Sequence, residues 1–316
     1  MVMGKCDLGY FISVHQKFAA AENKSPRTIE GTLAAVCDFD RFLKSPDDIS
    51  GIQAEDLRRY IRHLQSRQKW STHPTIKKTH GNLSPHAVAT YVRTVRAFFS
   101  WLTREGFLIE NPFISIKPPK TPHKIVPTLT SEEAKMFFKA IPQDDDKGYR
   151  DFAFLLTLYG TGLRLTELTN LRTEDVNLDS AQIKVLGKGS KERVVSMSAR
   201  VYKTLFKFYK TWRPQVESPY FFIDRNGKPP SRFVIAHRMK TYFLKSGISD
   251  KKCTPHTLRH SFSVQFLRNG GDIFSLQKIL GHSSLDMTRH YAELADSDVE
   301  KKMKAFSPAE SLNVKV

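Results

Sequence analysis

Residues 181–197 read Ala181-Gln-Ile-Lys-Val-Leu-Gly-Lys-Gly-Ser-Lys-Glu-Arg-Val-Val-Ser-Met197. Two short runs rich in β-branched residues, 181–186 and 191–197, flank Gly187-Lys188-Gly189-Ser190. Such runs suit extended chain, and the glycines let the backbone reverse, so the stretch predicts a β-hairpin. Its surroundings read differently. Ser131-Glu-Glu-Ala opens a helix with acidic residues in the first turn, where the helix dipole favours them. Residues 148–159 form an apolar helix, and helical patterns cover about 201–213, 231–246, 255–269, 272–280 and 284–292. A hairpin set among helices predicts an α+β unit, mainly helical with a small antiparallel sheet. In the tail 297–306, Val299, Met303 and Phe306 fall at i, i+4, i+7, a further helical stripe.

Moving toward the N-terminus, residues 117–128, KPPKTPHKIVPT, hold four prolines and three lysines. Proline removes backbone donors and holds φ near −65°, so this segment predicts an extended linker. Its lysines fit either a solvated linker or one lying along a phosphate backbone. Before it the pattern is all helical, with helices over about 8–22, 26–45, 52–67 and 84–105. Ser25-Pro26 and Ser84-Pro85 each place an N-cap before a proline at the first helical position. The fourth helix carries Val88, Tyr91, Val92, Val95, Phe98, Phe99 and Leu102 as an apolar stripe. The stretch KWSTHPTIKKTHGN at 69–82 is basic and holds a tryptophan; it suits a solvated loop or a nucleic-acid contact, the former being simpler.

The 316 residues include 50 Lys and Arg against 32 Asp and Glu, a formal net charge of +18. A chain this basic points to a polyanion, nucleic acid first and a membrane surface or acidic protein second. Residues 1–122 account for +7 and the rest for +11. Two basic segments suit a protein holding its partner from two sides. The three cysteines, Cys6, Cys37 and Cys253, are too scattered for a disulfide framework or a zinc site. No run of 18 apolar residues appears, and MVMGKCDLGYF lacks the apolar stretch of a signal peptide, so the expectation is a cytoplasmic protein without a membrane span.

Five short pieces of the second half carry chemistry. In Tyr159-Gly-Thr-Gly-Leu-Arg164-Leu-Thr-Glu167, the two glycines are expected to break the preceding helix, with Arg164 entering the next one and Glu167 holding its guanidinium. Arginine suits a phosphate because its planar fork meets two oxygens at once. By itself such a pair is more often a surface ion pair. Lys188, between glycines at the hairpin tip, is placed to protonate a leaving oxygen or to meet a base edge. In Thr254-Pro-His256-Thr-Leu-Arg259-His260, a cap and a proline start a helix whose N-terminus favours an anion. Arg259 supplies a second fork there, and His256 moves a proton near neutral pH. In Gly281-His282-Ser283-Ser-Leu-Asp286, the Ser283/Asp286 spacing predicts a capping box with His282 just outside the helix. Finally, Thr288-Arg-His290-Tyr291 ends on a phenol. Phenols ionise near 10 in water, and nearby cations are expected to stabilise the phenolate. A metal reading rests on His256 and His260 four apart; it lacks the glutamate of a zinc-protease motif and sets Arg259 beside the ion, so no metal is expected.

Together, GTGLRLTEL, LGKGSKERVV, HTLRHSF, LGHSS and TRHY resemble the tyrosine recombinase (phage integrase) family over nearly the whole chain. The resemblance implies a helical core-binding domain of SAM-like fold at 1–116, the linker at 117–128 and an α+β catalytic domain at 129–316. It implies that Arg164 and Arg259 bind the nonbridging oxygens of a scissile phosphate. Lys188 would be the general acid to the departing 5′ oxygen, His256 an aid to proton transfer and His282 a phosphate donor. Tyr291 would be the nucleophile, forming a 3′-phosphotyrosyl enzyme, with Glu167 supporting the pocket and His260 and His290 packing or supporting. Implied too are double-stranded DNA with an inverted-repeat core site, a homotetramer on two duplexes, and a C-terminal helix packed in cis or passed to a neighbour. Neither ATP nor metal is required, since one phosphodiester is exchanged for another of similar energy. A nucleoid-associated enzyme of a mobile element or a Xer-like resolvase fits; the 69–82 segment is longer than the compact Xer-like layout. A non-catalytic DNA-binding regulator lacks a reason to keep every reactive group. A type IB topoisomerase shares the Arg/Lys/His/Tyr logic but not the two-domain layout with LRHSF and LGHSS.

Overall fold

The computed structural model describes residues 7–69, 81–122, 127–187, 192–248, 251, 253–295 and 307. The chain divides into two compact units, Met1–Lys124 and Ile125–Val316.

The first unit is built from α1 (Leu8–Ala21), α2 (Pro26–Leu43), α3 (Ala54–Ser66) and α4 (Pro85–Arg104). The Ser25 and Ser84 hydroxyls accept the amides of Thr28 and Ala87, and Pro26 and Pro85 follow them. Helix α2 stops two residues short of the expected end because Lys44 enters the left-handed region, φ 64°. The α4 stripe is buried at Val88, Val92, Val95, Phe98, Phe99 and Leu102, against Phe39, Leu57, Tyr60 and Phe113. Inside this core, Tyr60 Oη donates to Asp38 Oδ2 (2.5 Å) and Arg67 Nη1 donates to both Asp38 oxygens (2.8 and 2.6 Å). The next residues start the 69–82 segment. Its base is tied by Leu83 N donating to Arg67 O and Lys69 N to Gly81 O; residues 70–80 lie outside the described residues.

The second unit begins with α5 (Ser131–Lys139), capped by Thr130 with Glu133 reaching back to the Thr130 amide, and α6 (Asp146–Thr161). A short α7 (Leu165–Thr169) leads to a three-stranded antiparallel sheet, β1 (Val176–Asn177), β2 (Gln182–Leu186) and β3 (Glu192–Ser196), in the order β1-β2-β3. Strand β1 is too short for a period-2 signal, which is why the hairpin alone was legible. Ile183 pairs with Val195 and Val185 with Arg193, so these four share the inward face. Helix α8 (Ala199–Lys207) passes into a π turn at Phe208–Trp212, where one helix over 201–213 was expected. The Arg213 amide reaches back five residues to Phe208 O, 2.7 Å. Then come α9 (Arg232–Lys245), α10 (Pro255–Arg268), α11 (Ile273–Leu280) and α12 (Asp286–Ala295).

Two local expectations are corrected. Only Gly162 ends α6: it is the left-handed C-cap, φ 65°, whereas Gly160 is helical. Gly160 is small for another reason, since a Cβ there would lie 2.5 Å from Val201 Cγ2 of α8. Helix α12 starts at Asp286, so Asp286 is its first residue rather than the third residue of a helix capped by Ser283; Leu285 O accepts the Thr288 and Arg289 amides. The main core of this unit includes Phe137, Phe154, Leu158, Ile183, Phe208 and Leu258. A separate small cluster, Val264, Leu267, Leu276, Leu280, Tyr291 and Ala295, joins α10, α11 and α12. Among the described residues, no helix is long and apolar enough to cross a membrane. The 297–306 stripe lies outside the described residues.

Candidate active site

The Gly162 turn sets Arg164 at the N-cap of α7. The Arg164 amide donates to Glu167 Oε2 and its Nη1 to Glu167 Oε1, both at 2.8 Å. A residue not singled out from the sequence completes this pair. Arg193 of β3 donates Nη1 to Oε1 (2.9 Å) and Nη2 to Oε2 (2.8 Å), and its Nε to Ile279 O (2.8 Å). The signal for it was present: an arginine at an inward position of a strand must find a buried acceptor. Burial opposes ionisation of Glu167, but the bonds from Arg193 and from the Arg164 amide outweigh it and hold the carboxyl below its ordinary value. With both its terminal nitrogens and its Nε engaged, Arg193 is a structural cation. Arg164 keeps 30% of its side chain exposed, so its fork has room for an anion.

Arg259 is buried on α10. It donates Nη1 to Gly162 O and Nη2 to Leu280 O (2.8 Å), tying the glycine turn to the end of α11. Burial, then the charge of Arg164, lowers its pKa to about 10, which leaves it charged at neutral pH. His282 Nε2 lies 3.2 Å from Arg259 Nη2, and its Nδ1 lies 3.0 Å from Thr288 Oγ1. A guanidinium offers only donors, so Nε2 is the acceptor and Nδ1–H donates to Thr288. Burial first, then Arg259, Arg164 and Arg193, lowers the His282 pKa to about 4, so the ring is neutral near pH 7.

Tyr291 on α12 is buried, and its hydroxyl lies 2.6 Å from His260 Nδ1. The His282 and Tyr291 rings stack at 6.3 Å. Burial pushes the Tyr291 phenol up; Arg259, the Ser263 hydroxyl and Arg164 lower it, the arginines as expected, but burial outweighs them. His256 is exposed on the first turn of α10, its ring 6.3 Å from that of His260. Thr254 and Thr257 cap that turn reciprocally, 3.2 and 3.1 Å. His290 lies 3.9 Å from Glu293. Lys188 falls outside the described residues, which end at Gly187 and resume at Glu192 on the paired strands. Thus Arg164, Glu167, Arg259, His260, His282 and Tyr291 come together, with Arg193, Ser263 and Thr288 added and His256 at the rim. Three guanidinium groups surround one carboxylate, so the site favours an anion. Among the described residues no group of three or more His, Cys, Asp or Glu is arranged to hold a metal ion.

The profile of the phage integrase family matches residues 127–298. The tyrosine recombinase XerD of Staphylococcus saprophyticus is 33% identical over 271 residues, covering 82% of this chain and 92% of that protein. XerD of Staphylococcus haemolyticus is 31% identical with the same coverage. Among solved structures, the XerA recombinase is 28% identical with a TM-score of 0.50, covering 95% of this chain and 99% of that one. The Tn1549 transposon integrase in complex with a circular intermediate DNA is 19% identical with a TM-score of 0.71, covering 94% and 100%; at that identity the likeness is one of fold.

Proposed function

The chain belongs to the phage integrase family of tyrosine recombinases, and from that premise we propose how its own residues divide the work. It is a site-specific recombinase, an enzyme that cleaves and rejoins DNA strands through a tyrosine. Tyr291 is the nucleophile. Its attack on the scissile phosphate gives a 3′-phosphotyrosyl enzyme and a free 5′-hydroxyl, and the partner strand's 5′-hydroxyl reverses the step. Arg164 and Arg259 hold the nonbridging oxygens, where charge grows in the transition state; losing one such donor typically costs about 3–4 kcal/mol. Glu167, locked by Arg193, fixes the Arg164 fork. Lys188 is the acid for the 5′ oxygen, and His256 serves proton transfer from the rim. His282 donates to the phosphate through Nε2. The proton shifts from Nδ1 to Nε2 for this, which Thr288 accommodates because its hydroxyl donates as readily as it accepts; Arg259 Nη2 then gives up its bond to Nε2 and keeps the one to Leu280 O.

The observation that carries this reading is the buried Tyr291 hydroxyl set among Arg259, Arg164, His260 and His282. The test is a nicked suicide duplex that traps covalent protein. Tyr291→Phe is expected to bind DNA normally and to give no SDS-resistant adduct; an adduct from that variant would falsify the assignment.

The wider reading gives residues 1–116 as the core-binding domain, 117–128 as the linker and 129–316 as the catalytic domain. Double-stranded DNA with an inverted-repeat core is the partner, bound by a homotetramer on two duplexes. The Val299/Met303/Phe306 helix packs in cis or on a neighbour. The relation to XerD and the fold of a transposon integrase support a cytoplasmic, nucleoid-associated enzyme of DNA resolution or of a mobile element.

A further inference from the structure

Among the described groups at the site, the Ser263 hydroxyl and His260 contact the nucleophile from outside the phosphate-binding set, and of the two the imidazole is the stronger base. His260 Nδ1 lies 2.6 Å from Tyr291 Oη, with the ring centroids 5.5 Å apart. On α10, His256, Arg259, His260 and Ser263 fall at successive offsets of three, one and three residues, so they share a face. The structure brings the second of the two histidines to the hydroxyl, and leaves the first exposed at the rim. A proton acceptor must lie within about 2.6–3.2 Å of the atom it deprotonates, and His260 meets that requirement.

We propose that His260 is the catalytic proton acceptor for Tyr291 in strand cleavage and returns that proton in rejoining. This rests on Tyr291 being the nucleophile. In cleavage, Tyr291 Oη bonds to phosphorus as the bond from phosphorus to the 5′ oxygen breaks. The phenolic proton passes to Nδ1, and the imidazole, which carries its first proton on Nε2, becomes an imidazolium. The 5′ oxygen leaves with a proton from the general acid. In rejoining, the 5′-hydroxyl returns its proton to the conjugate base of the general acid as its oxygen bonds to phosphorus, the ester bond to Oη breaks, and the imidazolium hands its proton back to Oη.

The surrounding charges couple this transfer to DNA. His260 is faced by His256 and Arg259 on its own helix and by His290 on α12, and it interacts with His282 between α11 and α12. Tyr291 is faced by Arg259 and Arg164. Burial, then His256 and Arg259, lowers the imidazole to about 4 while burial raises the phenol, so in the free enzyme the proton stays on oxygen. A scissile phosphate adds negative charge beside these groups, which favours the imidazolium. The nucleophile is therefore quiet until a phosphodiester arrives.

The test is His260→Asn, which keeps a hydrogen-bonding amide but cannot take up a proton. Single-turnover adduct formation on the suicide duplex is followed from pH 6 to 9.5, with DNA affinity measured alongside. The expected result is unchanged affinity and a rate lowered by about 10²- to 10⁴-fold. The residual rate should climb tenfold per pH unit, because hydroxide must now remove the phenolic proton. A duplex with sulfur replacing the bridging 5′ oxygen needs no acid, and it should leave the defect in place. A wild-type rate, a loss indifferent to pH, or restoration by the sulfur duplex would overturn the proposal. His260→Ala gives a second route: added imidazole should restore the adduct in protein that binds DNA, and no recovery counts against it. These outcomes are separate from the Tyr291→Phe result, which tests the nucleophile itself.

Discussion

Both carboxylate oxygens of Glu167 are occupied, by Arg193 from β3 and by the Arg164 amide and guanidinium. Its side chain is 5% exposed, so the charge is buried and paired. Breaking such a pair typically costs about 3–5 kcal/mol, because the remaining charge is stranded. The depressed Glu167 carboxyl contributes stability that is complete above its ordinary value of 4.5 and is lost as pH falls through the lower folded value. His260 and His282 act over a different window. Both are neutral when folded, with pKa about 4 against 6.5 unfolded. Between those values the unfolded chain binds more protons, so stability falls as pH drops from about 6.5 toward 4. Urea unfolding of the wild type should therefore weaken in two stages on acidification. Glu167→Gln should be less stable at pH 7 and lose only the lower stage. Stability flat between pH 6.5 and 5 would contradict the buried neutral histidines.

Helix α6 carries the turn from which Arg164 emerges, and its seat against α8 is set by a missing side chain. Alanine at Gly160 would gain about 1 kcal/mol of helix propensity. Its Cβ would also meet Val201 Cγ2 at 2.5 Å, and Val201 is itself 2% exposed and has little room to move. Overpacking of this kind typically costs about 1–3 kcal/mol, so the clash wins. Gly160→Ala should lower the melting temperature, and adding Val201→Ala should recover part of the loss. Additive losses in the double variant would place the effect elsewhere. The small α10–α11–α12 cluster has the opposite character. Tyr291 is one of its buried members, so the proposed nucleophile doubles as packing, and its burial is what raises its pKa.

For the whole molecule the dominant quantity is the net charge of +18. If six to ten phosphates are neutralised, affinity should drop by about 10³- to 10⁵-fold between 50 and 200 mM salt. Fluorescence anisotropy with a duplex across that range measures the slope, and salt-insensitive binding would sink the picture of two basic segments holding DNA. Charge of this kind is read by counting, and fold class by local pattern. Serine caps before Pro26 and Pro85, the α4 stripe and the glycine-bearing hairpin are all short-range signals, which is why the mainly helical architecture with one small sheet was legible. The two-residue β1 and the π turn after α8 were not, because neither has a period of its own. The same division runs through the site. The sequence by itself determined which reactive side chains exist and their order, from Arg164 to Tyr291. Only the tertiary structure decided that Arg193 locks Glu167 across 26 residues and that His260 reaches the Tyr291 hydroxyl across 31. It also decided that burial raises that phenol against its arginines. These outcomes depend on distance and local dielectric between remote segments, and no window of sequence contains either.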